Sequence, residues 1–169
     1  IGLFPSLVRL WMRIRLPGAQ AWQRDHERPY FYAGSAKEAD AAAWKQAARA
    51  ELSSTLPLDY AIVLLDLVKA FERVPHDWLV RQAHRHGYNL FLLRLSIAAY
   101  RLARAVGING VYAALVFATR GITAGAGHAT VELRVLLMEW LDEATALCPV
   151  VTLTVYVDDI AAEATASES

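Results

Sequence analysis

The sequence predicts an α+β fold in which helices back one antiparallel sheet, and three segments indicate it. Residues 60–65 form a continuously apolar run, Tyr-Ala-Ile-Val-Leu-Leu, that is typical of a buried β-strand. Residues 150–157 and 160–165 alternate in side-chain character on both sides of an Asp-Asp pair, which predicts a β-hairpin. The sequence contains neither an internal repeat nor a long linker, so we predict a single domain over residues 1–169.

The N-terminal part of the chain is predicted to be mainly helical. Residues 7–16 have a helical pattern that the Pro-Gly pair at 17–18 should end. A second helix is predicted from Ser35, a residue suited to the N-cap position, because a glutamate stands three residues later and an alanine-rich segment follows. We expect the strand at 60–65 to be covered on both faces, since it has no polar face.

The central elements are predicted from the residues that end them. Helices are expected over about 77–86 and about 89–106, each followed by a glycine. A strand is expected over 111–118, and a glycine-rich turn then leads into a helix over about 128–147. The C-terminal hairpin completes the predicted order of elements.

The composition is that of a folded domain with an uneven distribution of charge. Hydrophobic residues make up 56% of the 169 residues, and 17 basic side chains balance 17 acidic ones. This composition excludes intrinsic disorder, the single cysteine excludes a disulfide framework, and no apolar run is long enough to predict a membrane span. Residues 1–140 hold all 17 basic side chains and 11 acidic ones, whereas residues 141–169 hold six acidic side chains and no basic one. The split suggests a basic body around an acidic site.

Three aspartates at strand ends are the strongest candidates for a functional site. Asp66 ends the apolar strand, and Asp158 and Asp159 lie at the hairpin turn. If these strands are neighbours, the carboxylates converge and repel one another unless a cation screens them. Mg²⁺ prefers oxygen ligands, and two such ions assist phosphoryl transfer in polymerases and nucleases. The alternative is that the two hairpin aspartates only stabilise the turn.

Histidines and arginines elsewhere give weaker signals. His84 and His86 cannot share one helical face, so a zinc site is not expected. His76 is expected to cap the segment that follows it rather than to act in catalysis. The arginines of the second central helix, Arg94, Arg101 and Arg104, either contact phosphates or form a solvated helix face.

Three segments, in order, resemble the motifs of reverse transcriptases, especially those of non-LTR retrotransposons and group II introns. LLDLVKAFERVPHDWL (64–79) is similar to motif A, RGITAGAGHAT (120–130) to motif B, and YVDD (156–159) to motif C. The resemblance implies a right-hand polymerase fragment, with residues 1–56 in the fingers and 57–169 in a ferredoxin-like palm. It also implies RNA-directed DNA polymerase activity with an RNA template, a DNA primer and deoxynucleoside triphosphates as partners.

The resemblance also assigns roles to individual residues. Asp66, the Leu67 carbonyl, Asp158 and, more weakly, Asp159 would bind two Mg²⁺ ions, for which Mn²⁺ can substitute. The nucleotide-binding residues would be Phe71, which selects deoxyribose by its bulk, with Ala70, Ala124 and Gly125. Tyr156 would lie near the primer terminus, and Gly125 would also approach the template.

This chain departs from the family pattern at motif B and at its end. Ala124 stands where a glutamine is common, and the residues at 126–127 are Ala-Gly instead of Cys-Pro or Ser-Pro. The chain ends ten residues after Asp159, so we expect the thumb to be absent and turnover to be low. Two other hypotheses stay open at this point: a catalytically inactive scaffold that binds RNA or protein, and an unrelated interaction module.

Overall fold

The computed structural model describes residues 4–34, 38–56 and 58–167. In chain order the described elements are α1 (Ser6–Asp25), α2 (Ala39–Thr55), β1 (Leu58–Asp66), α3 (His76–Arg85), α4 (Leu90–Tyr100), β2 (Gly107–Ile108), β3 (Val111–Tyr112), α5 (Ala129–Leu147), β4 (Val151–Tyr156) and β5 (Asp159–Ser167). The predicted mixture of helices with a small antiparallel sheet is confirmed. None of the helices in these ranges is long and apolar enough to cross a membrane.

The chain divides into two compact units, each made of two separate segments. The basic unit consists of Ile1–Trp22 and Lys69–Leu136, and the acidic unit of Gln23–Val68 and Leu137–Ser169. The basic unit holds 12 Lys and Arg residues against three Asp and Glu residues, whereas the acidic unit holds five against 14. Their formal charges are therefore +9 and −9, and the zero net charge of the chain is a cancellation between the two units.

The acidic unit contains a three-stranded antiparallel sheet in the order β1-β5-β4. β4 and β5 form the hairpin that the sequence predicts, and β1 pairs with β5 along its whole length. The amide of Val155 in β4 donates to the Tyr30 carbonyl (2.8 Å), and the amide of Tyr32 donates to the Val155 carbonyl (2.9 Å). α2 packs against β1 and β4. Ser35, the predicted N-cap of this helix, lies outside the described residues.

β1 is more exposed than the sequence predicts. Its apolar run indicates a strand covered on both faces, but Val63, Leu64 and Leu65 are 55%, 72% and 49% exposed. β1 lies at the edge of the sheet, and in the described part of the chain it pairs with β5 alone. A run of apolar residues identifies a strand from its local composition, whereas its burial depends on which elements cover it.

α1 extends past the Pro-Gly pair that was predicted to end it. Pro17 lies inside the helix, which continues to Asp25. Ala19 and Trp22 are buried beyond the proline, and the Trp22 indole Nε1 donates to the His86 carbonyl (2.8 Å). A proline in a helix interior costs about 3 kcal/mol because it removes a backbone hydrogen bond. Packing of the second half of α1 within the basic unit therefore outweighs this cost.

α4 is shorter than predicted, and the segment after it is not the long strand that was expected. α4 ends at Tyr100, and residues 101–118 form a short hairpin instead, with two-residue strands β2 and β3. Asn109 and Gly110 connect these strands with φ values of 50° and 80°. An Asn-Gly pair with two positive φ angles is the preferred two-residue hairpin turn, and here it connects β2 to β3. The predicted helix 89–106 and the predicted strand 111–118 are therefore both too long: α4 ends at Tyr100, and β3 is limited to Val111–Tyr112.

Candidate active site

The hairpin turn places the Asp-Asp pair at one end of the sheet in the acidic unit. β4 ends at Tyr156 and β5 begins at Asp159, so Val157 and Asp158 are the two turn residues. Val157 has a φ of 60°, a conformation that is uncommon for a β-branched residue. Such strain is concentrated at functional sites, where the surrounding structure maintains it. The predicted hairpin with carboxylates at its tip is confirmed.

Asp66 and Asp159 lie directly opposite each other in the sheet. Asp66 is the last residue of β1 and pairs with Asp159, whose partner on the other side is Tyr156 of β4. Directly opposed residues of antiparallel strands project from the same face, with Cβ atoms about 4.5–5.5 Å apart. The sheet therefore presents two carboxylates and a tyrosine in one row on one face.

This row borders a groove of about 360 Å³ between the sheet and α2. The sheet side of the groove includes Asp66, Asp159 and Tyr156, and all three are exposed. The α2 side is lined by short side chains and one amide: Ala39, Ala42, Ala43 and Gln46. Because the alanines do not fill the space, a ligand of small-molecule size can reach the carboxylates.

The opposed pair matches the donor set that Mg²⁺ uses in proteins. Mg²⁺ is usually bound by one or two carboxylates together with waters and substrate phosphates. Asp159 is the register partner of Asp66, whereas Asp158 is a half-buried turn residue. Within residues 4–34, 38–56 and 58–167, no group of three or more His, Cys, Asp or Glu side chains is arranged to bind a metal ion. Asp66 and Asp159 are the two carboxylates that the strand register brings opposite each other.

A partly buried ion pair that the sequence does not predict holds α2 to the sheet beside the groove. Glu163 of β5 is 2% exposed and accepts hydrogen bonds from Arg49 of α2 and from the Tyr60 hydroxyl (2.7 Å). Arg49 also donates to Oγ1 of Thr154 (3.1 Å), a groove-lining residue. The hydrogen bond with Glu163 raises the pKa of Arg49, and burial raises the pKa of Tyr60. The sequence does contain a signal for this pair, because Glu163 is a carboxylate in an alanine-rich strand. A carboxylate buried in such a strand requires a charged or hydrogen-bonding partner.

The predicted nucleotide-binding residues all belong to the basic unit. Phe71 and Ala70 are half-buried. The Phe71 carbonyl accepts a hydrogen bond from the Ile122 amide (2.7 Å), and the Val74 carbonyl accepts one from the Gly121 amide (2.7 Å). Backbone hydrogen bonds therefore join the second half of the motif A-like segment to the start of the motif B-like segment.

The remaining predicted site residues lie in turns. Ala124 is half-buried, and Gly125 is exposed with a φ of 85°. The amide of Ala126 donates to the Thr123 carbonyl (2.9 Å), which closes a tight turn just before α5. Glycine at position 125 adopts the positive φ without the strain that a side chain would add.

Leu67, the remaining predicted site residue, follows β1 directly in the acidic unit and is half-buried.

His76 forms a hydrogen bond with the start of the motif B-like turn. It is the first residue of α3 and 4% exposed, and its Nε2 bonds to the Gly121 carbonyl (2.8 Å). Nε of Arg101 donates to Nδ1 of His76 (3.1 Å), so the imidazole carries its proton on Nε2. His76 is thus a structural link between α3, α4 and the turn.

We expect Gly121→Ala to destabilise the protein by about 2 kcal/mol, because the position combines strain with a close approach. Gly121 has a φ of 94°, and an added Cβ would lie 2.7 Å from the Glu72 carbonyl oxygen. Gly87→Ala is the matched control: its φ is 64°, nothing lies within 4 Å of the added Cβ, and the expected loss is about 1 kcal/mol. Urea denaturation measures both, and equal losses would contradict the close approach.

Comparisons with solved structures show a similarity of fold. No protein-family model matches the chain, and no curated protein matches it. Among solved structures, the fold is similar to apo telomerase from Candida tropicalis truncated from its C-terminal domain, with a TM-score of 0.54 and 13% sequence identity. The similarity covers 94% of this chain and 34% of the telomerase chain, so the chain spans about a third of that protein. At this level of identity the similarity shows the fold alone: this chain has a fold like that of the corresponding part of the telomerase chain.

Proposed function

We propose that this protein is an RNA-directed DNA polymerase. In the proposed reaction, the 3′-hydroxyl oxygen of a DNA primer bonds to the α-phosphorus of a deoxynucleoside triphosphate, the bond to pyrophosphate breaks, and the hydroxyl proton is released. The observation that carries the proposal is the opposed pair Asp66 and Asp159 beside a groove of about 360 Å³, within the size range of ligand sites. The three motif-like segments and the similarity of fold to telomerase support the same reaction class.

The carboxylates would bind two Mg²⁺ ions, or Mn²⁺ in their place. Bound cations would supply charge neutralisation at the triphosphate and lower the pKa of the primer hydroxyl. Asp66 and Asp159 provide the paired negative charge, and the Leu67 carbonyl and Asp158 are proposed as further ligands. Two carboxylates in one row repel each other, so the arrangement favours cation binding.

Substrate positioning is proposed for residues around the carboxylates and in the motif-like turns. Tyr156, next to Asp159 in the row, would contact the primer terminus. Phe71, with Ala70, would exclude a 2′-hydroxyl and favour deoxynucleotides, because this hydroxyl is what distinguishes the two sugars. Ala124 and Gly125 would contact the nucleotide, and Gly125, having no side chain, would also allow the template to approach.

The charge of the basic unit supports an RNA template and a DNA primer as partners. This unit has a formal charge of +9, concentrated in arginines. Neutralisation of phosphates by Lys and Arg supplies most of the sequence-independent affinity of proteins for nucleic acids. A strongly basic unit in a chain whose net charge is zero therefore fits a polymerase.

Single-nucleotide primer extension with the 169-residue chain in excess tests the proposal. We expect a primer annealed to an RNA template to gain one deoxynucleotide in the presence of Mg²⁺ or Mn²⁺, and extension to stop on chelation with EDTA. Ribonucleotides should be incorporated much less efficiently because of Phe71. An additional readout, independent of turnover, is Mn²⁺ binding measured by electron paramagnetic resonance.

An inactive scaffold is the second candidate, and Ala124 favours it because the glutamine common at this position is missing. In that case the chain would bind the primer-template with an affinity that falls with salt, but would neither extend it nor bind Mn²⁺ at Asp66. That combination of results would contradict the polymerase proposal.

A further inference from the structure

A second groove, of about 770 Å³, lies in the basic unit and contains none of the proposed active-site residues. It follows one face of α4, at positions i, i+3, i+4, i+7, i+8 and i+11: Leu90, Leu93, Arg94, Ile97, Ala98 and Arg101. On the other side it is lined by the start of α3, including Val80. Eleven helical steps span about 16 Å, so the groove is about three turns long.

The floor of this groove is apolar and open to solvent. Val80 and Leu90 are 42% and 41% exposed, Ile97 is half-buried, and Leu93 is buried beneath them. Ala98 leaves room for another backbone to approach. A contiguous apolar patch with a polar rim is the kind of surface that marks an interaction site.

The rim of the groove carries two arginines, Arg94 and Arg101, and one carboxylate, Asp77. Arg94 makes no hydrogen bond or ion pair with any residue in the described ranges, and Arg101 bonds through Nε to His76. Asp77, the acidic residue that lines the groove, is already paired with Arg81 (3.3 Å). The sequence between Asp77 and Glu132 contains six arginines and neither Asp nor Glu. The rim therefore attracts acidic groups.

We propose that this groove binds an amphipathic α-helix of a partner protein, with an apolar face and two acidic residues seven positions apart. Helices that bind in grooves use apolar anchors at i, i+3, i+4 and i+7. Val80, Leu90 and Ile97 form the apolar floor that such anchors would contact. Arg94 and Arg101 are two helical turns apart, about 10 Å, so acidic residues with the same spacing would pair with both. The proposal does not depend on the polymerase activity.

The apolar floor favours a protein helix over a nucleic acid. Nucleic-acid interfaces are polar and strongly basic, and a phosphate backbone over Leu90 and Ile97 would lose hydration without gaining apolar contacts. An amphipathic helix buries the apolar floor and pairs with the arginines at the same time. The combination of both features, rather than the charge alone, identifies the ligand class.

Fluorescence anisotropy with two labelled synthetic peptides of about 14 residues tests this proposal on the full chain. Both peptides are amphipathic helices with leucines on one face; one has two glutamates seven positions apart, and the other has lysines there. We expect the glutamate peptide to bind, and Arg94→Glu to weaken it at least about tenfold, equivalent to about 1.4 kcal/mol. The lysine peptide should bind Arg94→Glu more tightly than the wild type.

Two further variants separate the charge from the apolar floor. Arg120→Glu changes an exposed arginine of the same unit outside the groove, and should leave the Kd of the glutamate peptide within about twofold. Leu90→Gln should weaken the binding of that peptide about fivefold. The circular dichroism spectrum of this variant should match that of the wild type. Equal binding of the glutamate peptide to wild type and Arg94→Glu would overturn the proposal. So would no peptide binding together with RNA binding that requires Arg94, which would identify a nucleic-acid surface.

Discussion

Asp66→Asn should lower the rate of primer extension by at least about 10³-fold, a loss of about 4 kcal/mol in transition-state stabilisation. Asparagine keeps the size of the side chain but removes one of the two opposed charges at the groove. The cations that those charges are proposed to bind would then be held weakly, and the triphosphate would lack their charge neutralisation. Single-turnover extension measures the rate, and Mn²⁺ binding should fall in parallel.

Asp59→Asn is the matched control for this substitution. Asp59 lies near the other end of β1, is exposed, and pairs with Ala166 instead of with a second carboxylate. The control removes the same charge from the same strand, so we expect unchanged extension. If Asp66→Asn and Asp59→Asn had equal effects, the opposed carboxylates would not be the catalytic centre.

The two hairpin aspartates can be assigned by the same assay. Asp158→Asn and Asp159→Asn should both slow extension, since both carboxylates are proposed ligands. The resemblance to reverse transcriptases predicts the larger loss at Asp158. The register, which pairs Asp159 with Asp66, predicts the larger loss at Asp159. A side-by-side measurement decides which carboxylate is the second main ligand.

Strong local signals predicted the elements that carry the site. The hairpin of β4 and β5 follows from alternation on both sides of a turn, and α5 from a glycine-rich turn ahead of a long apolar-periodic segment. Asn109 and Gly110 are a turn signal of the same kind. The predicted helix over 89–106 and strand over 111–118 do not take this pair into account. At 109–110 the turn pair was the better guide because it specifies backbone angles directly, whereas the Pro-Gly pair at 17–18 did not end α1.

Features that depend on distant residues were not predictable in the same way. The exposure of Leu64 depends on which elements cover β1, and the continuation of α1 past Pro17 depends on packing around Trp22. The pairing of Arg49 with Glu163 joins residues 114 positions apart, and neither residue belongs to a recognisable pattern. Sequence spacing identifies such residues as unusual, but only the fold identifies their partners.

The two compact units change the meaning of the charge distribution. The sequence suggests a basic body and an acidic C-terminal segment, divided at residue 140. The structure instead divides the chain into discontinuous units of opposite charge, each with residues from both sides of the predicted fingers–palm boundary at 56–57, and that boundary stays a prediction. The carboxylate pair lies in the acidic unit, which has the charge suited to binding cations.

A buried carboxylic acid in the basic unit makes stability depend on pH. Glu132, in the first turn of α5, is fully buried; its Oε2 accepts a hydrogen bond from the Tyr100 hydroxyl (2.6 Å), and its Oε1 has no partner among the described residues. Burial raises the pKa of Glu132 from 4.5 to about 7. Burial also raises the pKa of Tyr88 and Tyr100, and lowers the pKa of His128.

The direction of the effect follows from proton linkage. Between pH 4.5 and about 7, the folded chain keeps the Glu132 proton that the unfolded chain has released, so the free energy of unfolding falls as pH rises. The stabilisation is complete below pH 4.5 and lost above about pH 7, and it amounts to about 3 kcal/mol. His128 acts in the opposite direction below its ordinary pKa of 6.5, because its folded form binds its proton more weakly.

Glu132→Gln should therefore gain about 3 kcal/mol in unfolding free energy relative to the wild type between pH 4.5 and pH 8. The amide cannot ionise, and because His128 is present in both proteins, its contribution cancels in the difference. Glutamine also buries an amide group, so at pH 4.5 the variant should be about 1 kcal/mol less stable than the wild type, and at pH 8 more stable. Urea denaturation at several pH values measures the difference, with Glu143→Gln, an exposed carboxylate of the same helix, as the control. A difference independent of pH would mean that Glu132 ionises equally in the folded and unfolded chain, which would contradict its burial without a cationic partner.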